Sequence, residues 1–369
     1  MKRKVPFFEY PRIFTDHEED FISILRDIGN RGAFIMQQDL TDFETKLAHF
    51  TGAKYALGVA NATDALQILL MASDLEKDDE IIICSHTMIA TASAIHHAGY
   101  IPVPVEVGPD RLIDYEDIER AITPRTKAIM PTQLNGRTAN MEIILRIAEE
   151  HQLSVFEDSA QALGSKFKGQ HAGTFGQGGA ISFYPAKVLG CLGDGGAILT
   201  NHQDIYDKSY QIRDHGRTPD GAIKLWGLNS RLDNLQAAFL SFQLDKYPTV
   251  IERRRQAAAI YDARLNHLKQ LQLPPKPSTN SDHFDVYQNY EIIAESRDNL
   301  IGHLQEEGIG TLIQWGGIAI HQFRNLGFKQ SLPKTDNFFS NCLMLPLNAT
   351  ASDEDYHYVC DCIVSFYSR

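Results

Sequence analysis

A chain of 369 residues with 43% hydrophobic and 22% charged side chains has the balance of an ordinary globular protein, long enough for one large domain and a smaller one. Its 47 acidic against 35 basic residues leave a formal charge of −12, which excludes a general nucleic-acid binder, because neutralising phosphates needs a basic surface. The five cysteines are scattered and none stands at zinc-site spacing, so reduced thiols, no metal and a cytoplasmic location are expected. The basic start MKRKVPFFEYPRIF leads into no long apolar stretch and does not read as a signal peptide; no apolar run of about 18 residues predicts a membrane span.

In chain order, KYALGVA (54–60) predicts a strand and DALQILLMASDL (64–75) a helix. DEIIICSH (79–86) predicts a buried strand, TASAIHHAGY (91–100) a helix, and IPVPVEV, KAIMPTQ and LSVFEDS further strands, with MEIILRIAEEHQ (141–152) as the helix before the last. AISF (180–183) adds another strand-like run. Strands alternating with helices imply crossover connections, hence an α/β fold with a mostly parallel sheet covered on both faces. IERRRQAAAIYDARLNHL (251–268) predicts a long amphipathic helix leading into a smaller α+β unit, with strands YEIIAES and GTLIQW and helices RDNLIGHLQEEG and DEDYHYVCDCIVSF. The expected division is a large domain with an N-terminal arm over 1–250 and a small domain over 251–369, with PPKPSTNSD (274–282) as a surface loop.

Ligands of such sheets lie at the carboxyl ends of the strands. Three segments there carry chemistry. ANATDAL (60–66) runs a strand end into a helix start, which makes either an anion site of exposed N–H groups or an ordinary cap on Thr63 or Asp64. VFEDSAQALGS (155–165) drives apolar residues into Asp158, either a helix or turn cap or a buried carboxylate that keeps its charge only beside a cation. AISFYPAKVLGCLGDGGAILT (180–200) sets Lys187 between a strand and a glycine-rich loop, as a solvated surface lysine or as an amine held in a pocket. His96 and His97 read as packing or solvent residues, His215 in RDHGR as a neighbour of an anionic ligand, and Arg253-Arg254-Arg255 as a solvated helix face.

Together, a phosphate-type turn, a buried-strand Asp and a loop Lys stand in the order found in fold-type I pyridoxal phosphate enzymes. The segments VPFF, NATDALQILL, SHTMIATASAIHHAGYIPVPVEV, EDSAQALGSKFKG, GTFGQGGAISFYPAKVLGCLGDGGAILTN, RDHGR and GLNSRLDNLQAA resemble those of the DegT/StrS sugar-nucleotide aminotransferases over nearly the whole chain. The resemblance implies that Lys187 forms a Schiff base with pyridoxal phosphate and moves the proton, while Asp158 pairs with the pyridine nitrogen. It places Gln161 near the phenolic oxygen, Ala62, Thr63 and Ser182 on the phosphate, and Met88 on the ring face, where the group usually has an aromatic residue. It implies that Asn229 reaches the phosphate from the neighbouring subunit, making a homodimer with shared sites.

The implied activity is transfer of an amino group from an amino acid, glutamate in the group, through pyridoxamine phosphate to a nucleotide-linked keto-sugar, for amino sugars of lipopolysaccharide O-antigen or another glycan. The loop that faces the sugar nucleotide in the group reads IQWGGIAIHQF (313–323) here, with Gln314 and Trp315 in place of His-Tyr and His321 at the later His; Gln288 stands where His is common. A sugar dehydratase on this fold would carry His in place of Lys187, and a regulatory protein on a dead fold would be expected to lack Lys187 or Asp158; both residues are present.

Overall fold

A computed structural model of the chain describes residues 3–278, 281–348 and 350–368, so residues 279 and 280 of the expected surface loop lie outside the described part. Seven strands build the main sheet: β1 (Tyr55–Val59), β2 (Glu80–Cys84), β3 (Ile101–Val105), β4 (Thr126–Met130), β5 (Ser154–Asp158), β6 (Gly178–Ser182) and β7 (Gly196–Thr200). Their order is β1-β7-β6-β5-β4-β2-β3, parallel throughout except for β7, which runs against both its neighbours. The strands are apolar runs without alternation because both faces are covered. Helix Ala62–Ala72 is buried almost all round, and Met141–His151 packs its Ile144 and Ile147 stripe on the opposite side.

The reversal of β7 matters for the site. Its first residue, Gly196, pairs with the last residues of two strands, Val59 of β1 and Ser182 of β6. The loop between β6 and β7 therefore lies at the same carboxyl edge as the turns after β1, β2, β4 and β5.

A second, antiparallel sheet joins β8 (Leu271–Gln272), β9 (Tyr290–Ala294) and β10 (Cys342–Leu345). Helices Arg297–Glu306 and Asp353–Tyr367 cover it, and Val5 from the N-terminal arm enters its core, bridging Ile309. Arg3, Pro6 and Glu9 of the arm likewise reach Asp355, Asn348 and Thr350 of the C-terminal unit, while Phe21 beyond them packs on Phe239 and Phe242.

The long helix starts earlier than expected, at Asn234, and runs unbroken to Leu265 through Pro248, so position 250 falls inside it with no linker there. GTLIQW forms no strand. Leu312 makes only an isolated bridge to Met344, and Gln314–Gly317 is a single tight turn with Trp315 and Gly316 at positive φ, a backbone that strands do not adopt. The run that does join this sheet is Cys342–Leu345, directly after helix Pro333–Asn341. Two of the three arginines are not on a solvated face: Arg254 and Arg255 are buried, Arg254 donating to the carbonyls of Tyr287 and Gln288 and Arg255 to those of Asp285 and Ser278, while Arg253 reaches the exposed Asp353. All five cysteines are buried, and none is in a disulfide.

Candidate active site

A cleft of about 730 Å³ opens at the carboxyl edge of the main sheet. Its floor follows from the register just described. Asn61 caps helix Ala62–Ala72, its side-chain oxygen accepting from Asp64 N–H at 2.8 Å, and its carbonyl accepts from Ala65. Among the described residues, no hydrogen bond takes up the N–H groups of Ala62 and Thr63, the first two of the helix, and both residues line the cleft.

Gly196 brings Ser182 to the same spot. A Cβ at Gly196 would lie 2.4–2.7 Å from backbone atoms of Asn61 and Ala62, so only glycine lets the turn press against the sheet. Two free N–H groups at a helix N-terminus with the hydroxyls of Thr63 and Ser182 beside them form an anion cup. Capping by Asn61 and anion binding by the next two residues coexist, because they use different N–H groups.

Asp158 ends β5 and is buried. Its Oδ2 accepts from Thr91 Oγ1 at 2.6 Å and its Oδ1 from Ala160 N–H at 3.1 Å. Behind Thr91 the hydroxyls continue in one direction: Thr132 donates to Thr87 at 2.8 Å, and since Thr91 spends its proton on Asp158, Thr87 donates to Thr91 at 2.8 Å. Burial pushes the Asp158 carboxyl up, against the pull of Thr91, Ala160 and Lys187. Among the described residues it makes no salt bridge, and the positive charge that acts on it is that of Lys187. Its neighbour Glu157 points to the other face, as strand alternation requires, and is used up by Gln133, Gly173 and Phe175.

Lys187 follows β6 in a tight turn, its N–H donating to the Tyr184 carbonyl at 2.8 Å. Desolvation lowers its ammonium to about 8, with the Asp158 carboxylate acting the other way. The amine thus faces a buried acid across a cleft and is partly neutral near physiological pH. Gln161 also lines the cleft; its Oε1 accepts from Asn135 N–H at 3.0 Å and from Asn289 Nδ2 at 3.2 Å, which leaves its amide nitrogen as the free end. Met88 presents a half-exposed thioether to the cleft, and Tyr184, Asp194 and Trp315 complete the rim.

The residues expected to meet a sugar nucleotide divide sharply. Trp315 lines the cleft, held edge-on to the His86 ring. Gln314 does not: it is buried, donating to Asn135 Oδ1 at 2.8 Å and Glu291 Oε1 at 3.1 Å. Burial alone would push Glu291 up, but His86, Arg111 and Gln314 outweigh it and hold its carboxyl below the usual range. His321 is buried between Ser85 Oγ at 2.8 Å and Asp336 Oδ1 at 3.0 Å. Gln288 is buried under the Lys187 turn.

These three polar ends are spent inside the protein. His215 and Asn229 lie exposed on a separate ribbon, where Asp214 bridges Asn229 and His215 N–H donates to Leu228; neither lines this chain's own cleft. The arginines around His215 are engaged, Arg213 with Glu44 and the Gly58 carbonyl, Arg217 with Asp214.

Sequence reasoning marked Thr87 only as a polar strand end and missed Thr91, Thr132, Tyr184 and Asp194. The strand-end positions of Thr87 and Thr132 were the available signal; nothing in the sequence alone joins them to Asp158.

Comparison with known proteins places this geometry. The structure matches that of S. venezuelae DesV in complex with a ketimine intermediate with a TM-score of 0.95, at 32% identity and 99% coverage of both chains. In sequence the chain is 33% identical to a dTDP-3-amino-3,4,6-trideoxy-alpha-D-glucose transaminase of Streptomyces venezuelae, covering 93% of this chain and 91% of that one. It is 35% identical, over 98% of both chains, to a pleiotropic regulatory protein of Geobacillus stearothermophilus. The model of the DegT/DnrJ/EryC1/StrS aminotransferase family matches residues 15–364, and the chain belongs to that family.

Proposed function

We propose that this protein is a transaminase that moves an amino group from an amino acid, with glutamate as the expected donor, to a nucleotide-linked keto-sugar, using pyridoxal phosphate and its aminated form, pyridoxamine phosphate. The observation that carries the reading is the placement, in one cleft, of a lysine amine lowered to about 8 and a buried carboxylate that makes no salt bridge among the described residues. The cleft fits the cofactor on its own terms. The anion cup of Ala62, Thr63 and Ser182 would take its phosphate, Asp158 its protonated ring nitrogen, Gln161 its phenolic oxygen and Met88 one ring face.

When bound, the cofactor supplies an aldehyde that exchanges for an amine and a ring that accepts electrons from the broken C–H bond. The protein's part is then electrostatics and proton transfer. Asp158, fixed in place by Thr91 and the Ala160 N–H, would hold positive charge on the ring nitrogen. Lys187 Nζ would hold the cofactor's aldehyde and, as a free amine, would serve as the base and acid that moves the proton between carbons, its ammonium being lowered to about 8. The two half-reactions predict ping-pong kinetics.

Asn229, exposed beside His215 and outside its own cleft, suits a role in the cleft of a second copy, so the active unit is a homodimer with shared sites. Among the described residues no helix is long and apolar enough to cross a membrane, and five cysteines outside any disulfide suit the cytoplasm. The product is an amino-deoxysugar nucleotide for a lipopolysaccharide O-antigen or another glycan. The Geobacillus relative's name favours a regulatory reading, against which stands the retention of both Lys187 and Asp158.

The test is borohydride reduction of the purified protein followed by peptide mapping, alongside turnover of keto-sugar nucleotides with glutamate. The cofactor is expected on Lys187, and Lys187→Ala is expected to lose about a thousandfold or more of activity. Full turnover by Lys187→Ala would overturn the assignment.

A further inference from the structure

The tetrapeptide Tyr287-Gln288-Asn289-Tyr290 sits at the entry to β9, with Tyr287 in the left-handed region at φ 52°. After that kink two successive side chains, neither of which lines the cleft itself, reach different residues that do, Ala186 and Gln161. The Gln288 amide brackets Lys187: its Oε1 accepts from Val188 N–H at 2.9 Å, and its Nε2 donates to the Ala186 carbonyl at 2.9 Å. The residues on either side of the lysine are therefore tied to one planar group. Asn289 Nδ2 donates to Gln161 Oε1 at 3.2 Å and to Asn135 Oδ1 at 2.9 Å. With Asn135 N–H on the same oxygen, the Gln161 amide has one allowed orientation, oxygen inward and nitrogen to the cleft.

The tetrapeptide itself is held rigidly. Arg254 donates to the carbonyls of Tyr287 at 2.8 Å and Gln288 at 2.7 Å, and the Val286 N–H donates to the Gly136 carbonyl at 2.8 Å. Gly136, at φ 83°, approaches so closely that a Cβ there would sit 2.5 Å from Gln288 N. Such backing is what a positioning group needs, because a side chain can orient another only if it is itself fixed.

We propose that Gln288 and Asn289 are positioning residues acting on the two sides of the cleft, Gln288 by fixing the turn that carries Lys187 and Asn289 by fixing the donor end of Gln161. The Asn289 half rests on the cofactor reading above; the Gln288 half does not. Gln288 is thus a positioning residue, not a sugar contact, and the substitution of Gln for His at this position acts on the lysine and not on the substrate.

Two measurements test this. Amide hydrogen exchange of the purified protein, with and without added pyridoxal phosphate, reads the Lys187 turn directly. Gln288→Ala is expected to speed exchange at Val188 about tenfold or more, with distant core peptides unchanged. Gln288→Glu, which keeps the acceptor and the volume, is expected to retain protection at Val188. Unchanged exchange at Val188 in Gln288→Ala, or loss of protection throughout the chain in both variants, overturns the Gln288 half.

For Asn289, the reading is the pH midpoint of the cofactor's visible band. Asn289→Ala, or Asn289→Asp if the first does not fold, is expected to move the midpoint by about half a pH unit or more and to have no further effect in a Gln161→Ala background. Additive shifts overturn the Asn289 half. If the unaltered protein takes up no pyridoxal phosphate, the cofactor reading and the Asn289 half fail together, while the exchange experiment still decides the Gln288 half.

Discussion

The two walls of the cleft differ in what their polar side chains do. On the sheet side, Ala62, Thr63, Asp158 and Lys187 keep donors, an acid and an amine available, at the cost of leaving them poorly paired. On the C-terminal side, Gln288, Gln314 and His321 are as polar but fully engaged: each ties one piece of chain to another. Position near a site does not make a residue a ligand; an unspent hydrogen-bonding group does. The first wall holds chemistry, and the second holds the first wall in place.

Four experiments sharpen or break that contrast. Asp158→Asn removes the charge from the sheet side while keeping its shape, and an approximately thousandfold loss in kcat is expected from steady-state kinetics. Trp315 and Gln314 adjoin in sequence but differ in duty. Trp315→Ala is expected to raise KM for the sugar nucleotide about tenfold with little change in Tm. Gln314→Ala is expected to cost about 1–3 kcal/mol in denaturant unfolding with KM within about twofold. The reverse pattern would erase the distinction between the walls.

The lowered ammonium of Lys187 sets a third expectation. Below pH 8 the amine is mainly protonated, so the rate of pyridoxal phosphate capture by cofactor-free protein should rise about tenfold per pH unit up to about 8 and level off above. The same shift makes the folded state bind fewer protons than the unfolded one between about 8 and 10.5, so this lysine adds stability as pH rises through that window. The smallest effect belongs to Thr91→Val, which deletes the 2.6 Å bond to Asp158 and should lower kcat about fivefold.

Most of the sheet side was legible in the sequence, because strand-end residues on a parallel sheet have one place to go. Six parallel strands and the turns after them follow from apolar runs, most of them alternating with helical segments. The antiparallel β7 and its contact through Gly196 were not legible, since strand direction is set by pairing and not by composition. The C-terminal side was misread for a different reason. Gln314, Gln288 and His321 reach their partners across separations of 179, 102 and 236 residues, and no local pattern reports such contacts. Arg254 and Arg255 show the same failure, charged residues on a helix that nonetheless turn inward to carbonyls.

The helix Asn234–Leu265 has a consequence for how the molecule comes apart. Its 32 residues span about 48 Å as one rod. Ala237, Leu240, Leu244 and Tyr247 are buried in the core beneath the Lys187 loop, while Ala257, Ala258, Tyr261 and Leu265 belong to the core of the small sheet. Neither core can melt without stripping one half of a shared rod, so cooperativity is built into the chain's middle. Calorimetry should record one transition where two domains on a flexible linker would give two.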